Sequence, residues 1–222
     1  MHIHIPDGVL PIWLWLSGFI LVGIFLLAIL PGIKKNFKKI PLVAMLTAVV
    51  LLVMSIPLGL PVHLNLMVLV ALLVGPSWSL VVALICNFIL ASFGHGGITL
   101  VGLNTLLLWL QALVGFFLFK AFLRFFKNYF ICASMATFLS LSLSSLFLIS
   151  IVAISTVEPA EFLHHHGELE YVGELGHTEI SLKTFILLSL PIAFFGTVLE
   201  SIIVGFAIQF IKKSKPELLK YE

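Results

Sequence analysis

Long apolar runs separated by short polar or Pro/Gly breaks make up most of this chain. Seven runs can be drawn, over residues 10–30, 41–58, 60–75, 77–93, 100–119, 131–155 and 184–211. An α-helix needs about 20 apolar residues to cross a bilayer core, whereas a transmembrane β-barrel shows alternating segments of about 10 residues. The pattern therefore predicts an all-α, polytopic membrane protein with seven transmembrane helices, forming a single domain over residues 1–222.

The composition excludes a water-soluble domain. Of the 222 residues, 61% are hydrophobic and 10% charged, and the mean hydropathy is +1.21, whereas a soluble domain carries roughly a quarter charged residues. We expect a multi-pass protein of the cell membrane, surrounded by the lipid bilayer. The N-terminus has no Lys or Arg before the first apolar run and no cleavage motif, so it is not a signal peptide and is expected to be retained.

The placement of charge predicts the topology. Eleven of the twelve basic residues fall in three clusters, at 34–39, 120–127 and 212–220, and six of the ten acidic residues fall between 158 and 179. Basic clusters beside apolar spans face the cytoplasm, so they need no nucleic-acid partner. The third run is short enough to fuse with the fourth across Gly75 and Pro76. Seven spans with the N-terminus outside put all three clusters and the C-terminus in the cytoplasm, whereas six spans separate the clusters, so seven are favoured.

All the histidines fall on the outer side in this topology. They are His2, His4, His63, His95, His164, His165, His166 and His177. Imidazole is the commonest metal ligand in proteins, so this side is the candidate metal-binding side.

The His- and Glu-rich loop at 157–183 is predicted to be extracytoplasmic. Either it gathers cations or it is a solvated acidic loop, and it contains no HExxH motif of a zinc hydrolase.

The N-terminus itself is a candidate chelate. The amine of Met1, the amide of His2 and the Nδ1 atom of its imidazole offer three nitrogens, and a second imidazole supplies a fourth. Four nitrogens in a plane suit Ni(II), Cu(II) or Co(II) better than Zn(II), which prefers a tetrahedron. The alternative is a frayed, solvated terminus. The Pro-Asp-Gly sequence at 6–8 favours a turn that folds the terminus back toward the helices.

Several motifs in residues 1–115 carry a family resemblance. They are HIPDG at 4–8, PLGLPVHL at 57–64, the Gly-Pro pair at 75–76, and HGGIT at 95–99 with Gly102 and Asn104 after it. The chain resembles the CbiM/NikM family, the substrate-binding S components of energy-coupling factor (ECF) importers for cobalt and nickel. In that family Met alone normally precedes the HIPDG motif.

The resemblance implies a seven-span S component whose N-terminal segment, residues 1–9, enters the outer half of the bundle and binds Co(II) or Ni(II). The implied ligands are Met1, His2, His4 and His63. Here the motif's histidine is His4, and three residues precede it instead of Met alone, an offset of two. Either Met1 and His2 form the chelate in a shifted register, or His4 keeps the family position. The candidates for supporting these ligands are Asp7, His95 and Asn104, with His95 either bracing the site or serving as a turn residue.

Polar and small residues inside the apolar runs suggest further roles. Four polar residues are expected to face the bundle interior and hold helices together: Asn87, Asn104, Gln111 and Glu200. A proton relay is the alternative for Glu200.

Ala44 and Ala48 lie four residues apart on one helical face, where close helix packing is possible. This spacing serves either internal packing or, as the resemblance implies, docking on a transmembrane coupling (T) subunit.

The resemblance also implies ATP-binding cassette ATPase subunits as partners, with or without a small auxiliary membrane subunit. The chain has no P-loop of its own, and we expect it not to be an enzyme. Two alternatives are an S component for another small substrate such as a vitamin and a stand-alone secondary metal transporter. The second predicts charged residues in the middle of several spans, where Glu200 is nearly alone. An intramembrane metalloenzyme is disfavoured, because Asp7 is the only carboxylate near the expected metal.

Overall fold

The computed structural model describes residues 10–56, 63–154 and 182–219, and these are almost entirely helical. The α-helices of this part of the chain are α1 (Ile12–Lys35), α2 (Ile40–Ser55), α3 (Met67–Val74), α4 (Pro76–Ser92), α5 (Val101–Phe125), α6 (Tyr129–Ile154) and α7 (Leu182–Ser214). Short 3-10 helices precede α2 (Phe37–Lys39) and follow α7 (Pro216–Leu219). The all-α prediction is confirmed. The N-terminal segment 1–9 and most of the loop at 157–183 lie outside the described residues.

Five stretches of the described chain are long and apolar enough to cross a membrane. They are Ile12–Lys34, Phe37–Ser55, Val101–Phe125, Tyr129–Ser150 and Leu190–Ser214. The helix Pro76–Ser92 is also apolar but shorter. These lengths support a multi-pass membrane protein.

Local sequence explains where several helices begin. Proline occupies the first turn of α2 and of α4, where its missing N–H would have no partner within the helix. Asn128 precedes α6, and its side-chain oxygen accepts hydrogen bonds from the N–H groups of Phe130 and Ile131 at 3.0 and 3.3 Å. Such a side chain satisfies amides that the helix leaves open.

The third apolar run differs from its prediction. The helix within 60–75 is shorter than predicted, because α3 covers only the eight residues Met67–Val74 and is about 12 Å long at 1.5 Å per residue. Leu66 adopts a left-handed backbone with φ of 53°, which cannot continue an α-helix. Gly75, with φ of 92°, ends α3 and separates it from α4. Pro76 then starts a new helix rather than extending the old one.

Helix α3 is the core of the bundle. Seven of its eight residues are buried, and Val68 lies where a side chain on Gly115 of α5 would collide with it. Its high hydropathy therefore reflects burial inside protein rather than contact with lipid. Non-helical backbone at membrane depth is tolerated only when protein or a polar cavity surrounds it. The stretch 63–66 before α3 meets that condition, because His63, Asn65 and Leu66 are all buried.

Charged side chains stand at both ends of α3. The carboxylate of Glu200 accepts a hydrogen bond from the N–H of Leu66 at 2.8 Å. At the other end the ammonium of Lys39 donates to the carbonyl of Val74 at 3.3 Å. A negative charge at the start of a helix and a positive charge at its end both interact favourably with the helix dipole. Both contacts therefore stabilise this short helix.

Two glycines bring α1 and α5 into backbone contact. A Cβ atom on Gly18 would lie 2.8 Å from the backbone nitrogen of Leu103, and one on Gly102 would lie 2.6 Å from the backbone of α1. Further along both helices the rings of Phe25 and Trp109 are 4.8 Å apart. The order of these contacts shows that α1 and α5 run in parallel.

Helices α6 and α7 pack in opposite directions. Phe130 lies 4.8 Å from Phe206 between ring centroids, and Phe138 lies 5.9 Å from Phe194. Helix α6 begins four residues after α5 ends, so the start of α6, the end of α5 and the end of α7 lie together. Since α1 is parallel to α5, the last turn of α1 lies at this end of the bundle too. We call it the lysine end, since it carries the basic clusters at 34–39, 120–127 and 212–215. The helix directions therefore agree with the charge-based prediction that the three basic clusters lie on one side.

Candidate metal site

Two predicted site histidines meet at the opposite end of the bundle. The ring centroids of His63 and His95 are 4.5 Å apart and the rings are inclined at 71°. His63 is 6% exposed. His95 belongs to the loop between α4 and α5, and α5 begins at the end away from the lysines. We call this end the histidine end.

The α4–α5 loop places His95 through a glycine-dependent helix stop. Gly94 has φ of 78° and donates its N–H to the carbonyl of Ala91, while the N–H of His95 reaches back to the carbonyl of Leu90 at 2.9 Å. This pair of bonds is the Schellman arrangement, in which a left-handed residue follows the helix. Gly96, with φ of 87°, turns the chain again directly after His95. The sequence around this histidine therefore fixes its backbone on both sides.

His95 is set up to remain neutral. Desolvation by burial lowers the pKa of its imidazole below the ordinary value of 6.5. Neutral imidazole is the form that binds metals or accepts a hydrogen bond. His95 therefore brings no positive charge to its contact with His63 at neutral pH.

His63 is held by the stretch that leads into α3. Two residues on, the N–H of Asn65 donates to the carboxylate of Glu200 at 3.4 Å. The Asn65 side chain accepts from the N–H of Met67 and donates to Gln111, each at 2.9 Å. Gln111 in turn donates to the hydroxyl of Ser144 at 2.9 Å. Hydrogen bonds from α5, α6 and α7 thus converge on the residues that follow His63.

The predicted role of intramembrane polar residues in joining helices is confirmed for Glu200, Gln111 and Asn87. Glu200 joins α7 to the start of α3, and Gln111 joins α5 to α6. Asn87 donates to the hydroxyl of Thr105 at 3.3 Å, which joins α4 to α5. Sequence analysis missed Asn65. A polar amide two residues after the candidate ligand His63 could have indicated it, but the partners of Asn65 lie far away in the chain.

The other predicted site residues are distributed as follows. Asn104 is buried, 2% exposed, in the first turns of α5 at the histidine end. Ala44 and Ala48 are exposed on α2, so internal packing within the described bundle does not account for their spacing. Met1, His2, His4 and Asp7 lie outside the described residues. Within 10–56, 63–154 and 182–219, no three His, Cys, Asp or Glu side chains form a metal-binding group.

Comparison with known proteins gives a family and a fold. Residues 4–218 match the model of the family described as CbiM, cobalt uptake substrate-specific transmembrane region. A solved structure described as a truncated transition metal transporter is 19% identical with a TM-score of 0.78, over 96% of this chain and 99% of that one. A second, described as a transition metal transporter, is 19% identical with a TM-score of 0.75, over 96% and 93%. These structures show that the fold is shared. No curated protein sequence matches the chain significantly.

Proposed function

The chain belongs to the CbiM family of cobalt-uptake substrate-specific transmembrane regions, and from that premise we propose that it is the metal-binding S component of an ECF importer for Co(II) or Ni(II). The observation that carries the proposal is the contact between His63 and His95, 4.5 Å apart at the histidine end. In this proposal the chain binds the ion and passes it on, with His63 as a ligand and His95 in contact with it. No catalytic step is assigned to the chain.

The N-terminal segment is proposed to supply the remaining donors. Because α1 runs parallel to α5, the described chain begins at Leu10 at the histidine end, only nine residues after Met1. The amine of Met1 and the imidazoles of His2 and His4 are then within reach of His63. In this site His63 ligates the metal, while His95 orients it through the ring contact. Asp7 and Asn104 are proposed to support the ligands, since residues hydrogen-bonded to a ligand fix its orientation.

Metal analysis of the purified protein tests the function. We expect about one Co(II) or Ni(II) ion per chain by mass spectrometry, and an X-ray absorption spectrum dominated by nitrogen donors. That spectrum also distinguishes a planar set of four nitrogens from other geometries. A metal-free protein that carries a tightly bound organic molecule would contradict the proposal and favour a vitamin-binding S component.

The orientation is proposed from the lysine end. Short basic segments beside membrane spans stay in the cytoplasm, so the lysine end and the C-terminus are inside, and the histidine end, with the N-terminus, is outside. In intact cells a membrane-impermeant thiol reagent should therefore leave Asn36→Cys unlabelled and label Phe93→Cys, whose native side chain is 84% exposed at the histidine end. Cys86 and Cys132 are buried and give a low background. The reverse labelling pattern would overturn the orientation.

Docking on a T subunit is proposed for the exposed face of Ala44 and Ala48. Small side chains allow another helix to approach α2 closely, and leucine would block that approach. Replacing both alanines by Leu should abolish co-purification with the T and ATPase subunits while metal stays bound. Ala28→Leu is the matched control, because Ala28 is an exposed alanine on α1. Co-purification that survives the double replacement would show that this face is not the docking surface.

A further inference from the structure

A carboxylate from the last helix lies at the break before α3. Glu200 of α7 is fully buried, where an ionised group is costly unless hydrogen bonds satisfy it. Its two oxygens accept from the N–H groups of Asn65 and Leu66 at 3.4 and 2.8 Å. These amides belong to the residues that immediately precede the helix. The side chain therefore fixes backbone that is 134 and 135 residues away in the chain.

The backbone at this break is strained. Leu66 is the described non-glycine residue with a positive φ, at 53°, a conformation in which Cβ crowds the following carbonyl. Such residues persist only where the surroundings enforce them. Glu200 provides that enforcement, because its shorter hydrogen bond is made to the amide of Leu66 itself.

We propose that Glu200 is a positioning residue of the metal site, which acts by holding the break before α3 and thereby the place of His63. The inference rests on the proposed function, in which His63 is a ligand. Without these hydrogen bonds from Glu200, residues 63–66 could wind onto α3. At 1.5 Å per residue in a helix against about 3.3 Å when extended, that change would draw His63 inward by up to roughly 7 Å. The contact between His63 and His95 would then be lost.

Glu200→Gln tests this role with little change of size. The amide has one acceptor oxygen, and its NH2 group would face the backbone donors that the carboxylate accepted. We expect Ni(II) affinity to fall about 10- to 100-fold, as for the loss of other groups that orient a ligand. The matched control is Ser201→Ala, because Ser201 is buried beside Glu200 and its hydroxyl donates to Val198 of its own helix. The control should bind Ni(II) like the wild type.

Two double variants separate positioning from a general loss of structure. If Glu200 acts through His63, Glu200→Gln should cause no further loss of affinity in a His63→Ala background, whereas a general defect would lower affinity in both. Leu66→Gly should restore much of the affinity lost in Glu200→Gln, since glycine adopts the left-handed backbone without penalty. If Glu200→Gln fails to fold, Glu200→Asp, which keeps two acceptor oxygens on a shorter stem, should show a smaller loss.

The outcomes distinguish this inference from the proposed function. Affinity is measured on the full chain in detergent, with the visible spectrum of bound Ni(II) as a report on the donor set. Wild-type affinity in folded Glu200→Gln, or an equal loss in both backgrounds, would overturn the positioning role while leaving the function standing. Unchanged affinity in His63→Ala would overturn the proposed function and the positioning role with it.

Discussion

Adding residues ahead of Met1 is expected to abolish tight binding of Ni(II) or Co(II). The extension converts the terminal amine into an amide, so one proposed nitrogen donor is lost while every side chain stays in place. His63→Ala removes another donor from the same site and should have a similar effect. Each loss should exceed the 10- to 100-fold typical of groups that only support a ligand. Calorimetric titration of the purified protein measures both.

The control for the extension is the same sequence added after Glu222. The described chain ends at Leu219, just after α7 ends at the lysine end, so we expect this protein to bind metal like the wild type. An N-terminally extended protein that keeps wild-type affinity would exclude the amine as a donor. It would leave His63 and the remaining imidazoles to be tested separately.

Gly18→Ala is expected to weaken metal binding by more than tenfold, although it touches none of the proposed ligands. Its new Cβ atom would meet the backbone nitrogen of Leu103 at 2.8 Å, and a backbone contact cannot be relieved by rotating a side chain. Forcing atoms into a packed interface costs about 1–3 kcal/mol, and occasionally more. Helix α1 would move away from α5 and carry the N-terminal segment with it. Metal affinity and thermal unfolding together measure the effect.

Gly23 on the same helix is the matched control. A Cβ atom there meets nothing within 4 Å, so Gly23→Ala makes the same chemical change without a collision. Gly102→Ala, on the α5 side of the contact, should reproduce the Gly18 effect. If Gly18→Ala and Gly23→Ala behaved alike, close packing of α1 on α5 would not be what places the N-terminal segment.

The architecture was predictable where it depends on contact with lipid. Apolar runs longer than about 20 residues located α1, α5, α6 and α7, and the basic clusters indicated that their ends share a side. The third run misled because hydropathy is the same for a residue in lipid and one buried in protein. Its true boundary depends on the hydrogen bond between Leu66 and Glu200. A local sequence window cannot contain that pair.

The site was predictable to the extent that its residues are chemically distinctive. His63 and His95 were both chosen, and the glycines beside His95 explain why its loop can place it. The role of Asn65 was not predicted, because it depends on hydrogen-bond partners such as Gln111, which is 46 positions away. Gly102 was noted as part of a motif, but its contact with α1 follows only from the packing. The roles of Met1, His2, His4 and Asp7 remain predictions.

The burial of α3 also constrains how the protein is made. During synthesis Asn65 and Leu66 leave the ribosome 135 and 134 positions ahead of Glu200. Their unpaired amides would each cost several kcal/mol in hydrocarbon. An eight-residue helix is too short to be inserted as an independent span. The nascent chain must therefore keep this segment out of lipid until α7 arrives. Folding of the bundle is therefore complete only after α7 has been inserted. A chain that stalls before α7 lacks Glu200, so the amides of Asn65 and Leu66 lack this carboxylate partner.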